Sequence, residues 1–281
     1  MSEPAIRHVP FPMREVGLRV LSGVVLAAAT LGLTWSGPVP FAFLVGAIAL
    51  VLIWEWGRVT SGVGFTTARV LAGFGVLVAI GMTVSGRPGL GLIGVAAGAL
   101  AATVLGGLPN RVSELGGALY AGLPAVSLVW LRADAGHGLE IIVLLLLIVW
   151  ATDTGAFVAG RAIGGPRLWE RVSPKKTWAG LGGGVVAAAI VAWLYTRVLG
   201  GTAVGHPIML GAVLAVVSQV GDLFESALKR AHGVKDSSSL IPGHGGFMDR
   251  VDGLVFAAVA AAAYAYALAP GAPAELLLGL R

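Results

Sequence analysis

The residues able to do chemistry crowd into the second half of the chain. In Gly221-Asp222-Leu223-Phe224-Glu225-Ser226-Ala227-Leu228-Lys229-Arg230, the side chains of Asp222, Glu225, Ser226 and Lys229 fall at i, i+3, i+4 and i+7, which puts them on one face of a helix. Ser218 and Gln219 extend that face one turn back. An acid at the centre of a lone helix in lipid costs about 2.5–3.5 kcal/mol. Such a stripe is therefore expected to line a wet cleft or to pair with another helix, as a site or as a structural ion-pair face.

A second group follows: Lys235-Asp236, then Ile241-Pro242-Gly243-His244-Gly245-Gly246-Phe247-Met248-Asp249-Arg250-Val251-Asp252. Glycines allow sharp turns and bring bare N–H groups to an anion, and the helix that starts here offers its positive end to phosphate. Asp249 and Asp252 share a face at i, i+3. Capping explains one Asp at a helix start, but not two inside a basic, glycine-rich loop. A lone loop histidine such as His244 is weak by itself.

The third group is Arg171-Val172-Ser173-Pro174-Lys175-Lys176-Thr177-Trp178. Ser173 reads as an N-cap and Pro174 as the first helical residue. That places Lys175, Lys176 and Thr177 in a first turn, where the helix dipole disfavours cations, so these lysines need an anionic partner, either lipid headgroups or a nucleotide phosphate. Asp153, between Thr152 and Thr154 inside an apolar stretch, is a functional candidate by depth, or an internally hydrogen-bonded acid. Glu55 and Glu114, at other span ends, read as ordinary interfacial charges.

Carboxylates with these spacings suit Mg²⁺, which binds through one or two carboxylates plus substrate phosphates. A metal together with Lys and Arg neutralises charge on a transferring phosphoryl group. There is no G-x-S-x-G elbow and no G-x-x-x-x-G-K-[ST] run. With a phosphate anion as attacking group, no Ser, Cys or His nucleophile is needed.

Apolar helices must position these groups. Of the 281 residues 57% are apolar and 12% charged, against about 45–50% and about 25% in soluble domains. The excess lies in blocks near the ~20 residues that cross a bilayer core. The chain is expected to be an all-α, polytopic transmembrane helical bundle with about nine spans, over roughly 17–34, 40–56, 70–84, 89–106, 114–131, 139–159, 180–199, 207–228 and 251–269. Gly and Pro punctuate the gaps. Gly182, Gly183 and Gly184 within a span predict close helix packing. Residues 1–15 are short and basic, as in a signal peptide, but the long apolar stretch and further spans after them predict an uncleaved first span.

Charge sets the orientation. With a cytosolic N-terminus, only Arg87, Arg132, Arg197 and Arg281 of the 19 Lys and Arg fall outside, as the positive-inside bias requires. That bias accounts for the net charge of +5 without a nucleic-acid partner. The absence of cysteine excludes disulfides and thiolate metal sites. Residues 1–138 read as a transmembrane scaffold and 139–281 as the catalytic region, with cytosolic loops at 160–179 and 229–250.

From Ser226 to Arg230, through Lys235-Asp236, to His244-Gly245-Gly246-Phe247-Met248-Asp249-Arg250-Val251-Asp252, the chain resembles the signature of phosphatidate cytidylyltransferases, or CDP-diacylglycerol synthases. Gly221-Asp222, Asp153 and Ser173-Pro174-Lys175-Lys176-Thr177 resemble the same family, so the likeness covers roughly 150–253. The resemblance implies transfer of CMP from CTP to phosphatidate, with Mg²⁺ required and a monovalent cation such as K⁺ as a further candidate. It implies Asp222 and Asp249 as metal ligands. Lys175, Lys229, Arg230, Lys235 and Arg250 become phosphate binders, beside Ser173, Lys176 and Thr177. Asp153, Asp236, His244 and Asp252 join the site with roles left open. It also implies a homodimer in the plasma membrane with its active site toward the cytosol.

Three rivals stand against this reading. An ion-coupled transporter would place its acids near the midplane, often in two related halves, and no second copy of the cluster is seen. A CTP-dependent lipid kinase of the polyprenol type would release CDP rather than pyrophosphate. A CDP-alcohol phosphotransferase would need an arginine soon after Asp252-Gly253, where Leu254-Val255-Phe256-Ala257 stands.

Overall fold

Proline and glycine set most of the helix boundaries. In the computed structural model, which describes residues 28–241 and 245–280, a helical stretch α1 is seen at 28–35. It is followed by α2 (Pro38–Ser61), α3 (Thr67–Val84), α4 (Pro88–Leu105), a 3-10 turn (Leu108–Asn110), α5 (Arg111–Arg132) and α6 (Gly138–Ala162). A two-stranded hairpin, β1 (Arg167–Trp169) and β2 (Ser173–Thr177), precedes α7 (Trp178–Val198), α8 (Gly205–Ala231), α9 (Met248–Leu268) and the short α10 (Pro273–Leu277). Pro38 and Pro88 open their helices, where a missing N–H costs nothing. Gly62 closes α2 at φ 73°, a left-handed conformation suited to glycine.

The chain is an all-α polytopic membrane protein. Among the described residues eight helices, α2 to α9, are long and apolar enough to cross a membrane, and each coincides with a predicted span. The first predicted span, 17–34, and the N-terminus that fixes the orientation lie largely outside the described residues.

The segment 173–177 differs from expectation. It is not the first turn of a helix but a strand, antiparallel to β1 with Arg167 opposite Thr177 and Trp169 opposite Ser173. A residue before proline is pushed to extended backbone whether it caps a helix or lies in a strand. Pairing with β1 decides the matter, and the cap moves on to Thr177, whose hydroxyl accepts from Gly180 N at 3.0 Å.

Glycine brings α6 and α7 into backbone contact. A Cβ on Gly183 would meet the Ala159 side chain and lie 2.9 Å from Gly155 O; one on Gly155 would lie 2.7 Å from Gly183 O, and one on Gly184 2.8 Å from Thr152 O. Gly183 and Gly184 thus act as expected, whereas Gly182 faces open space. α8 crosses α7 at Gly211, where a Cβ would lie 2.7 Å from Ala188 O.

Candidate active site

The polar stripe of α8 turns inward: Ser218, Gln219, Glu225 and Lys229 are all buried. It forms two successive rungs with neighbouring elements. In the first, Lys176 of β2 forms an ion pair with Asp222 and donates to Gln219 Oε1 at 3.1 Å. Asp153, Lys175, Lys176, Thr177, Gln219 and Asp222 line one cleft of about 290 Å³ between α6, the hairpin and α8. Asp252 of α9 adjoins this rung, its backbone packed against α8 beside Asp222. Its approach depends on Gly221, where a Cβ would sit 2.5 Å from Asp252 O.

In the second rung, Lys229 Nζ bridges Glu225 Oε2 at 2.6 Å and Asp249 Oδ1 at 2.5 Å. The other oxygen of Asp249 accepts from Ser237 N and Ser237 Oγ, both at 3.1 Å, and from Gly246 N at 2.9 Å. One carboxylate therefore ties together both sides of the loop between α8 and α9. Gly245 takes φ 83° within it. Any Cβ on Gly246 would strike Ser237 Oγ and come within 2.7 Å of Glu55 Oε1, so the loop closes only around bare backbone.

Glu55 of α2 completes this clasp. It is fully buried. Its Oε1 accepts from Ser238 Oγ at 2.5 Å and Phe247 N at 2.8 Å, and its Oε2 from Met248 N at 2.5 Å. A carboxylate on the first N–H groups of α9 satisfies donors that have no partner within the helix. The reading of Glu55 and Glu114 as ordinary interfacial charges is corrected here. Glu114 is 4% exposed and pairs with Arg69, 3% exposed, with Nη2–Oε1 2.7 Å and Nε–Oε2 3.2 Å. Buried charges of this kind must be paired and hydrogen-bonded, and both are.

The structure thus brings Asp153, Lys175, Lys176, Thr177 and Asp222 into one cleft, sets Asp252 beside them, and places Lys229 about two helical turns beyond Asp222 and Asp249 about one turn before Asp252 along the α8–α9 seam. Asp222 and Asp249 stand at the same end of the bundle. Ser173 lies at the far end of β2 opposite Trp169. Arg230 Nη1 donates to Val234 O at 2.9 Å, holding the start of the loop. Lys235 and Asp236 are exposed on that loop, and Arg250 is exposed in the first turn of α9. His244 lies outside the described residues.

Glu55 and Ser237 were missed by sequence reasoning, and Glu225 was seen only as a member of the stripe. The available signal for Glu55 was an acid within a strongly apolar span, which calls for an internal partner.

Among the described residues no group of three His, Cys, Asp or Glu side chains closes into a metal cluster. The donors at hand are all carboxylate oxygens, and lysine ammonium groups rest on Asp222 and Asp249. A hard dication that takes one or two carboxylates and draws its remaining ligands from phosphate and water fits this donor set.

The sequence model of the cytidylyltransferase family matches residues 17–268. A phosphatidate cytidylyltransferase of Brucella suis is 40% identical over 248 residues, covering 88% of this chain and 92% of that protein. The phosphatidate cytidylyltransferases of Haemophilus influenzae and Bacillus subtilis are 36% and 32% identical, covering 85% and 87% of this chain and 94% and 95% of theirs.

Proposed function

The chain belongs to the cytidylyltransferase family and is a nucleotidyltransferase that makes CDP-diacylglycerol from CTP and phosphatidate, and we propose that the cleft between α6, the hairpin and α8 is where it does so. The observation that carries the placement is Lys176, from the hairpin, resting on Asp222 with Asp153 and Lys175 alongside. Acids and lysines in one cleft suit a triphosphate and a lipid phosphate held together with a dication.

A phosphate oxygen of phosphatidate attacks the α-phosphorus of CTP, the bond to the β-phosphate breaks, and pyrophosphate leaves. Lys175 and Lys176 bind the nucleotide phosphates and offset their repulsion of the lipid phosphate. Lys229, fixed by Glu225 and Asp249, holds positive charge further along the same seam. The loop pinned by Asp249 and Glu55 orients the start of α9. The gain is mainly positioning and electrostatics. Asp222 and Asp249 would hold Mg²⁺, which when bound supplies charge neutralisation to the transferring phosphoryl group. CTP is a cytosolic metabolite, so the cleft opens to the cytosol of a bacterial plasma membrane, in line with the Lys and Arg bias. The protein works there as a homodimer.

Incubation with CTP labelled on its α-phosphate, phosphatidate and Mg²⁺ is expected to give pyrophosphate and a labelled lipid. Release of CDP with an unlabelled, phosphorylated lipid would instead make the protein a lipid kinase. Lys175→Ala is expected to raise KM for CTP about tenfold or more, the loss of one hydrogen bond to a charged phosphate. Unchanged kinetics would reassign that lysine to anchoring lipid headgroups.

A further inference from the structure

An apolar groove runs down the α5–α9 seam. Its upper part encloses about 410 Å³ and is walled by the aromatic row Trp56, Tyr120, Phe224 and Phe256, with successive ring centroids 5.2, 6.0 and 5.4 Å apart. Its lower part encloses about 290 Å³ and reaches Tyr266. Leu123, Val259 and Ala263 line both parts, so the groove is continuous. Phe224 and Tyr266 are exposed along it, which makes it open on the side of the bundle.

The upper end carries a polar atom without a partner. Tyr120 is 7% exposed, and its hydroxyl makes no hydrogen bond. Its ring stacks on Phe224, two residues along α8 from Asp222 of the first rung. An unpaired buried hydroxyl costs about 1–3 kcal/mol, so the position favours a ligand that brings a hydrogen-bond acceptor. The groove also has a defined depth. From Phe256 to Tyr266 α9 rises about 15 Å, half of the ~30 Å hydrocarbon core, the thickness of a single leaflet.

We propose that the groove holds one acyl chain of phosphatidate and that the Tyr120 hydroxyl donates to the ester carbonyl at the head of that chain. This rests on the reading of phosphatidate as substrate. The groove supplies the apolar length, Tyr120 marks where the lipid turns polar, and Phe224, two residues from Asp222 on α8, joins that point to the cleft where CTP is bound.

Tyr120→Phe removes only the hydroxyl. It is expected to raise KM for dioleoyl phosphatidate about 3–10-fold, and the rise disappears with the dialkyl ether analogue, which has no carbonyl. Equal rises for both lipids, or none, overturn the role of the hydroxyl. Ala263→Phe plugs the groove midway and is expected to raise the KM ratio of dioleoyl to dihexanoyl phosphatidate about tenfold. An unchanged ratio overturns the groove. A changed particle mass in detergent for Ala263→Phe assigns the groove to a second copy of the chain and also overturns it. Failure of the native protein to convert any phosphatidate removes the underlying function, whereas native turnover without discrimination in either variant removes only this proposal.

Discussion

Asp249→Asn is expected to lower the rate of CMP transfer by about 10²–10³-fold, the scale seen when one preorganised electrostatic contact is removed from an active site. Asp249 makes four contacts with its two oxygens: Lys229 on one, Ser237 N, Ser237 Oγ and Gly246 N on the other. An asparagine keeps the shape but offers a single carbonyl oxygen. If that oxygen faces Lys229, its NH₂ meets the N–H groups of Ser237 and Gly246, donor against donor. If it faces the loop, the NH₂ meets the Lys229 ammonium. Either orientation breaks one side of the clasp and removes one of the two acids expected to hold Mg²⁺. Asp249 sits in the first turn of α9 and the apolar stretches of the eight helices are untouched, so the variant should insert and purify normally. Initial rates at saturating CTP and phosphatidate check this, and a loss below about threefold would release Asp249 from both roles.

The second large effect is expected at Glu55, a residue in the other half of the chain. Glu55→Gln leaves one oxygen for the three donors Ser238 Oγ, Phe247 N and Met248 N, and turns an NH₂ toward the rest. A buried donor stranded in this way costs about 1–3 kcal/mol. The first turn of α9 and the loop would shift to relieve it, and a misplacement near 1 Å is enough to cost about 10²-fold in rate. The cleft itself is built from α6, the hairpin and α8, so the loss should fall on kcat more than on KM for CTP. Glu55→Asp, one methylene short, should fail to restore the rate because charge without reach cannot span the gap. A kcat within twofold of native for Glu55→Gln would show that the clasp does not position the site.

The legible parts of this protein were those written in local spacing. The α8 stripe could be read because residues three and four apart share a helical face, and it does turn inward. Two span starts could be read because Pro38 and Pro88 have few other uses, whereas α2 runs to Ser61, five residues past the expected end. The segment 173–177 was misread because Ser173-Pro174 looks the same at the head of a helix and in a strand, and only its pairing with 167–169 separates the two. Glu55 was misread because its partners lie 183 and 192 residues away, and no periodicity carries information over that distance. Gly246 could be assigned to the loop, but its closeness to Ser237 and Glu55 is a property of the folded chain.

The α6–α7 seam has a mechanical consequence. Backbones that touch at Gly155, Gly183 and Gly184 have no side chains to slide past one another, so Asp153 and the hairpin lysines that lead into α7 share a single frame. α8 is fastened to that frame twice, at Gly211 toward the far membrane face and through Lys176 at its acidic end, and Gly221 and Lys229 hold that same end against α9. Held from both sides, the acids and lysines keep their spacing before any reactant arrives, so little reorganisation is left for the moment of transfer.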